Sequence, residues 1–233
     1  MRIALIPGFS QPASAWAPVV AALADPIAAD VHALEVPEEL GFVATADALG
    51  TAAGPAIYVG YSMGGRLALR LAIDRPELVL ALVLVSAGPG IDDARARATR
   101  AREDRDRAQQ ISNQGVRAFL EGWLAQPLFA TLPRDLTMID ERAATMNGAR
   151  LAHQMTALGQ GAMEPLGDRL AELTMPTTVV VGRADTRYTE IGRRMVDQIT
   201  GAHLVELDGG HALPLEQPAA LAGVIAAVHS ATA

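Results

Sequence analysis

The sequence predicts an α/β fold with a mainly parallel, six-stranded sheet covered by helices. Six short segments are rich in branched apolar residues, and segments with helical periodicity alternate with them. Residues 79–86 and 177–181 are almost continuously apolar, which is typical of strands buried on both faces. Alternation of this kind indicates parallel strands joined by right-handed crossovers.

Each element follows from these patterns. The predicted strands are residues 3–7, 31–36, 56–61, 79–86, 177–181 and 203–207. The predicted helices between them are residues 15–23, 43–53, 63–74, 191–200 and 218–228.

One segment interrupts the alternation. Residues 88–165 contain no strand pattern and are rich in Ala, Arg, Gln, Leu and Met at helical spacing, with Pro127, Pro133 and Gly148 dividing them into several helices. We therefore expect residues 1–87 and 166–233 to form the core, and residues 88–165 to form a helical cap over one end of the sheet.

Composition excludes several classes of function. The chain has 233 residues and a net charge of −7, which disfavours binding to nucleic acid or to an anionic membrane surface. It has no cysteine, so disulfides, zinc–thiolate sites and thiol nucleophiles are excluded. All its basic residues are Arg, which removes Schiff-base chemistry. With no signal-peptide pattern at the start and no long apolar run, we expect a cytoplasmic protein without a membrane span.

The strongest local signal is Gly60-Tyr61-Ser62-Met63-Gly64, a G-x-S-x-G sequence between a predicted strand and a predicted helix. Side chains at the two glycines would collide with neighbouring backbone in the sharp turn that this motif forms. The turn exposes Ser62 at the carboxyl end of the sheet, so Ser62 is the candidate nucleophile.

A nucleophilic serine needs a base, and the base needs an acid that orients it. Of the five His residues, only His211 lies in a glycine-rich loop just after a strand. Asp185 follows another strand, and the order Ser, Asp, His is typical of one class of hydrolase. Asp208 and Glu206 are alternatives to Asp185, but they lie too near His211 in the chain to converge on it easily.

An oxyanion hole requires two N–H donors near the nucleophile. We expect the backbone N–H groups of Met63, which follows Ser62, and of Phe9, in the loop after the first strand, to supply them.

These motifs resemble the α/β-hydrolase fold over essentially the whole chain, in a version that lacks the first two strands. Within it, the chain resembles the menaquinone-pathway synthases of 2-succinyl-6-hydroxy-2,4-cyclohexadiene-1-carboxylate (MenH-like). The matching segments are Gly8-Phe9 with Trp16, residues 60–66, residues 86–91, the Arg-rich stretch 95–107, Trp123 followed by residues 126–129, and residues 185–188.

The resemblance implies a lyase that uses its Ser–His–Asp set to abstract a proton and eliminate pyruvate from a small anionic substrate with three carboxylates. It implies no metal and no organic cofactor, and a monomer or homodimer. By position, the residues that contact substrate would be Tyr61, Arg66, Arg100, Trp123 and Arg142.

Several alternatives stay open. Three i,i+4 pairs, Arg100–Asp104, Arg102–Asp106 and Glu103–Arg107, predict that most arginines of the Arg-rich stretch are solvated, with Arg100 as the exception. Arg66 fits either a site position or a helix contact. The same triad would also serve a carboxylesterase or a carbon–carbon bond hydrolase, and a non-catalytic binding module is a third possibility.

Overall fold

The sheet follows the predicted pattern in a computed structural model that describes residues 1–233. All five strand pairings are parallel, in the order β2-β1-β3-β4-β5-β6. The strands are β1 Ile3–Ile6, β2 Val31–Ala33, β3 Ala56–Tyr61, β4 Val79–Val85, β5 Thr177–Gly182 and β6 His203–Leu207. Because all six strands run the same way, their carboxyl ends lie at one edge.

Helices lie between successive strands, and two more follow the last strand. They are α1 Ala17–Ala21, α2 Asp25–Ala28, α3 Phe42–Ala53, α4 Met63–Asp74, α5 Ala94–Gln114, α6 Val116–Leu124, α7 Ile139–Thr145, α8 Gly148–Ala157, α9 Thr186–Val196, α10 Leu213–Glu216 and α11 Pro218–Thr232. Short 3-10 helices occupy Ala13–Trp16, Pro76–Leu78, Pro127–Phe129, Arg134–Leu136 and Gly167–Glu172. None of the helices is long and apolar enough to cross a membrane.

Side chains of each central strand enter two separate hydrophobic cores. In β1, Ala4 and Ile6 face a core that also contains residues of α3, α4 and α9, whereas Ile3 and Leu5 face a core with residues of α1 and α11. The sheet is therefore covered by helices on both faces, which explains why β1, β3 and β5 are buried at every position.

Several predicted boundaries are wrong, among them the ends of α9 (Val196 instead of residue 200) and of α11 (Thr232 instead of residue 228). Two further boundaries are wrong for local reasons. Strand β2 ends at Ala33, three residues early, because its partner β1 ends at Ile6 and leaves no strand to pair with. Helix α9 begins at Thr186 instead of residue 191, because the Asp185 carboxylate accepts a hydrogen bond from the Tyr188 N–H (3.3 Å) and caps the helix there.

The segment between β4 and β5 is helical, as the sequence predicts, and contains α5 to α8 but no strand. Its helices share a small core around Ile111, Leu120 and Leu151, and Phe9 and Trp123 pack against this core. The loop after β1 thus contacts the helical segment directly. The division into a core and a cap at residues 88 and 165 stays a prediction.

Candidate active site

Ser62 lies at the turn between β3 and α4, with a φ of 50° and a ψ of −105°. A positive φ is unfavourable for a residue with a Cβ, so the surrounding structure must hold this turn. A Cβ at Gly60 would strike the Gly64 carbonyl, and a Cβ at Gly64 would strike the Ile6 carbonyl. The two glycines are therefore required sterically, and the turn presents Ser62 at the carboxyl edge of the sheet.

Three predicted side chains form one hydrogen-bonded chain at this edge. His211 Nδ1 lies 2.6 Å from Asp185 Oδ2, and His211 Nε2 lies 3.1 Å from Ser62 Oγ. His211 is 2% exposed and Asp185 7% exposed, so water competes little for these bonds. With Nδ1–H donating to the carboxylate, Nε2 is left to accept the Ser62 proton. The arrangement is chemically competent for proton transfer, and its catalytic role stays a prediction.

The alternative acids are occupied elsewhere. Asp208 forms an exposed ion pair with Arg183, and Glu206 accepts a hydrogen bond from Arg193 (2.7 Å). Neither carboxylate contacts His211, so Asp185 is its acidic partner.

The loop that carries His211 is fastened by Glu216. The Glu216 carboxylate accepts from the Gly210 N–H (2.8 Å) and from the Ala212 N–H (2.9 Å), on either side of His211. Aromatic rings enclose the imidazole, with ring-centroid distances of 4.7 Å to Tyr188 and 5.8 Å to Phe129. The imidazole is therefore held in orientation by both backbone and side-chain contacts.

The loop after β1 leaves the expected oxyanion donor free. The Gly8 N–H donates to Gln11 Oε1 (3.1 Å) and the Ser10 N–H donates to Gln154 Oε1 (3.3 Å). The Phe9 N–H between them donates to no protein group, and neither does the Met63 N–H at the start of α4. These free donors fit the predicted oxyanion role of Phe9 and Met63, which stays a prediction.

A cavity of about 260 Å³ opens above Ser62 and His211. Its charged lining residues besides His211 are Arg66, Arg100, Arg107, Arg187 and Glu103. Its other lining residues include Phe9, Trp123, Leu128, Gln154 and Tyr188. Four arginines against one glutamate give the cavity a positive charge in a chain whose net charge is −7.

Arg66 lies in the wall of this cavity and also contacts α3 through Phe42, so the structure combines the two predicted positions, and its contact with substrate stays a prediction. Burial lowers the pKa of its guanidinium to about 10, and its contacts are the Met163 sulfur (3.9 Å) and the Phe42 ring (5.7 Å to the centroid). No carboxylate pairs with it. A buried cation without an acidic partner is unfavourable unless an anionic ligand compensates it.

Arg142 lies at a second, smaller cavity that also borders Ser62. It lines a small cavity of about 40 Å³ together with Tyr61, Ser62 and His211. Burial lowers the pKa of Arg142 to about 10; one guanidinium nitrogen donates to Ser10 Oγ (3.3 Å), while its Nε has no partner. Tyr61 shares this buried environment, which raises the pKa of its phenol far above the usual value.

The Arg-rich helix α5 differs in part from expectation. Arg100 lines the cavity, but its partner Asp104 is buried rather than exposed, at 1%. Arg107 pairs with Glu103 (3.6 Å), as predicted, and also with Asp104. The predicted Arg102–Asp106 pair is wrong, because Arg102 donates to Thr99 Oγ1 (2.8 Å) instead.

Several residues at the site were not predicted. Tyr188, Gln154, Glu216, Arg107 and Arg187 line the cavity or hold its walls. For Tyr188 a sequence signal existed, because it belongs to residues 185–188, one of the segments that resemble the synthases. The contacts of Glu216 are local, whereas the positions of Gln154 and Arg107 in the cavity depend on how distant segments pack. No group of three or more acidic or His side chains is arranged to hold a metal ion.

Comparison with known proteins agrees with this fold. A model of the alpha/beta hydrolase family matches residues 3–224, and the chain belongs to this family. Among solved structures, MenH from S. aureus superposes with a TM-score of 0.91 at 22% identity, covering 99% of this chain and 94% of that one. A thermophilic esterase from Thermogutta terrifontis superposes with a TM-score of 0.77 at 22% identity, covering 100% and 90%.

Curated relatives are similar over part of their length. The 2-succinyl-6-hydroxy-2,4-cyclohexadiene-1-carboxylate synthase of Escherichia coli O1:K1 is 30% identical over 171 residues, which is 73% of this chain and 65% of that protein. A Bacillus subtilis (strain 168) protein provisionally given the same name is 33% identical over 165 residues, 69% of this chain and 60% of that one. The matches thus span less than two thirds of these relatives.

Proposed function

We propose that this protein is a lyase that eliminates pyruvate from a cyclohexene tricarboxylate, the reaction of the synthases to which it is similar. The observation that carries the proposal is the position of the Ser62–His211–Asp185 chain at the base of a cavity lined by four arginines. A hydrolase of neutral esters has no need of so many cations, whereas a substrate with three carboxylates does.

The proposed reaction begins with proton transfer. His211, oriented by Asp185, accepts the Ser62 proton, and the Ser62 alkoxide removes a proton from the substrate ring. In this 2,5-elimination the electron pair of that C–H bond forms a new ring double bond, and the existing ring double bond shifts by one position. The bond between the ring and the enolpyruvyl oxygen breaks with its electron pair on oxygen, which leaves a conjugated diene. The His211 imidazolium then returns its proton to the departing enolpyruvate, which becomes pyruvate. Ser62 regains its hydrogen, so the protein ends the cycle unchanged.

Charge that develops on a substrate oxygen during proton removal needs donors that are already in place. The unpaired N–H groups of Phe9 and Met63 suit this role, because no protein acceptor must be displaced first. Such preorganised donors stabilise the anion without reorganisation, so we assign the oxyanion hole to these two groups.

Different arginines bind different carboxylates of the substrate in this proposal. Arg66 and Arg142 are buried without a carboxylate partner and line two different cavities that both border Ser62, so each gains most from a substrate carboxylate. Arg100 binds a further carboxylate from the wall of the larger cavity, and Trp123 and Tyr61 contact the ring. The helical segment 88–165 acts as the cap that carries Arg100, Trp123 and Arg142. A cytoplasmic monomer or homodimer remains part of this proposal.

A serine esterase or carbon–carbon bond hydrolase is the second candidate. The same triad geometry supports an acyl-enzyme, and a structural neighbour with a TM-score of 0.77 is an esterase. The two candidates differ in the fate of Ser62, which is acylated in one and acts only as a base in the other.

The experiment follows pyruvate release with a lactate dehydrogenase couple, using the synthases' tricarboxylate substrate. We expect turnover by the wild type, none by Ser62→Ala, and negligible hydrolysis of p-nitrophenyl esters. A rapid p-nitrophenol burst without pyruvate release would favour the hydrolase instead.

A further inference from the structure

Asp104 is a buried carboxylate on α5 that no step of the proposed reaction uses. It is 1% exposed, and its Oδ1 accepts hydrogen bonds from Arg100 Nε (2.7 Å) and from an Arg107 guanidinium nitrogen (3.2 Å). Its Oδ2 accepts from the Gly161 N–H (3.3 Å). Both carboxylate oxygens therefore accept hydrogen bonds, Oδ1 from two arginines of the cavity wall and Oδ2 from one loop.

The loop fits closely around this carboxylate. A Cβ at Gly159 would contact Asp104 Oδ2 at 2.5 Å, and a Cβ at Gly161 would strike the backbone of Ala101. The chain can close over Asp104 only because both positions are glycine. The carboxylate is thus fixed, and it fixes in turn the arginines that donate to it.

Arg100 and Arg107, both bound to Asp104, line the cavity. Arg100 also contacts Gln160 Oε1 (3.4 Å), and Gln160 donates to the hydroxyl of Tyr188 beside His211 (2.9 Å). Arg107 stands over the Trp123 ring, 5.9 Å from its centroid. Arg100 and Arg107 carry two positive charges against the one buried negative charge of Asp104, and the remaining negative charge beside them is that of the half-exposed Glu103.

We propose that Asp104 is a positioning residue that holds Arg100 and Arg107 as one carboxylate-binding pair, and that Arg107 contacts the substrate together with Arg100. The proposal rests on the proposed function insofar as the cavity takes a ligand with carboxylates. Glu103 competes with a ligand carboxylate for Arg107, since it lies 3.6 Å from Arg107 and is half exposed.

Glu103 and Asp104 make the proposal testable, because Glu103→Gln and Asp104→Asn each remove one negative charge from neighbouring positions. If charge alone governs binding, both variants bind anions more tightly. If Asp104 positions the pair, Glu103→Gln tightens binding but Asp104→Asn weakens it by about tenfold, the equivalent of one charged hydrogen bond. A purely structural role for Asp104 would lower the melting temperature and leave the affinity of the folded protein unchanged.

The measurement is citrate binding to the full chain by isothermal titration, with tryptophan emission as a second readout because Trp123 lies beneath Arg107. Arg107→Gln provides a variant at an incompletely buried position, and we expect it to weaken citrate binding by about tenfold as well. Arg105→Gln, on the same helix but outside the cavity lining, is the matched control and should bind citrate like the wild type.

Citrate binding needs no turnover, so its result is independent of whether pyruvate is released. Weaker binding by Asp104→Asn and Arg107→Gln, with a changed tryptophan emission in both, supports the pair even if the proposed lyase activity is absent. Failure of the wild type to bind citrate, or tighter binding by Asp104→Asn, overturns it. With the synthases' substrate, the same two variants should raise KM and leave kcat nearly unchanged.

Discussion

His211 Nε2 lies 3.1 Å from Ser62 Oγ, although 149 residues separate the two in the chain. The contact exists because β3 and β6 run parallel and end at the same edge of the sheet. The strained turn at Ser62 and the Glu216-bound loop at His211 bring the two side chains together.

Replacing Asp185 by Asn should reduce kcat for pyruvate release by about 10²–10⁴-fold, the usual contribution of a positioned acid–base group. The amide cannot stabilise the imidazolium, and it favours the wrong tautomer of His211. Steady-state kinetics measures the effect. Asp208→Asn is the control, since Asp208 is exposed and pairs only with Arg183. Equal losses in the two variants would remove Asp185 from the mechanism.

Glu216→Gln should lower kcat by about tenfold or more, because small misplacements of a catalytic group are costly. Glutamine offers one acceptor where the Gly210 and Ala212 N–H groups need two, so the loop at His211 loosens. KM should change little, because Glu216 lines neither cavity next to Ser62. Glu190→Gln, at an exposed position on α9, should behave like the wild type. A rise in KM with kcat intact would contradict this assignment.

Arg142→Met should raise the stability of the fold and weaken substrate binding. The guanidinium is buried with one weak hydrogen bond and no acidic partner, so an apolar side chain should raise the free energy of unfolding by about 1 kcal/mol or more. The same change should raise KM by about tenfold through loss of a substrate carboxylate contact. Urea denaturation and kinetics on one sample measure both. Arg134→Met, at an exposed position, should alter neither, and destabilisation by Arg142→Met would be the contrary result.

Ionisation of Tyr58 should lower the free energy of unfolding at alkaline pH. Its hydroxyl donates to the Gly54 carbonyl (2.8 Å), and burial raises its pKa from 10.0 to about 12. Unfolded chains therefore lose the phenol proton at lower pH than the folded protein does. The stabilising contribution is complete below pH 10 and is lost as pH rises from 10 towards 12.

Urea denaturation of Tyr58→Phe tests this dependence. The variant should be about 1 kcal/mol less stable at neutral pH, because a hydrogen bond is lost. Its free energy of unfolding should fall less steeply than that of the wild type above pH 10. Identical slopes for both proteins would assign the alkaline loss to other groups, of which Tyr61 is the first, since burial raises its pKa in the same direction.

The sequence was sufficient for features that depend on local pattern. Apolar runs predicted every strand, and the motif around Ser62 predicted a turn that only glycine at positions 60 and 64 permits. His211 and Asp185 could be found because each follows a strand, and the ends of parallel strands meet.

Features that depend on packing between distant segments were not predictable. An i,i+4 pattern made Asp104 look exposed, yet the loop at Gly161, 57 residues later, covers it. Arg142 similarly reaches Ser10 across 132 residues. The start of α9 was not predicted, because Asp185 caps the helix and binds His211, and neither contact is visible in the periodicity of the apolar residues.

In the proposed reaction Ser62 acts as a base in an elimination and not as a nucleophile that becomes acylated. The most direct test stops the reaction with the tricarboxylate substrate during turnover and measures pyruvate and the intact mass of the protein in the same sample. We expect pyruvate to accumulate while the protein keeps its unmodified mass, and Ser62→Ala to release none. A mass increase located on Ser62, or pyruvate release that survives Ser62→Ala, would contradict the account.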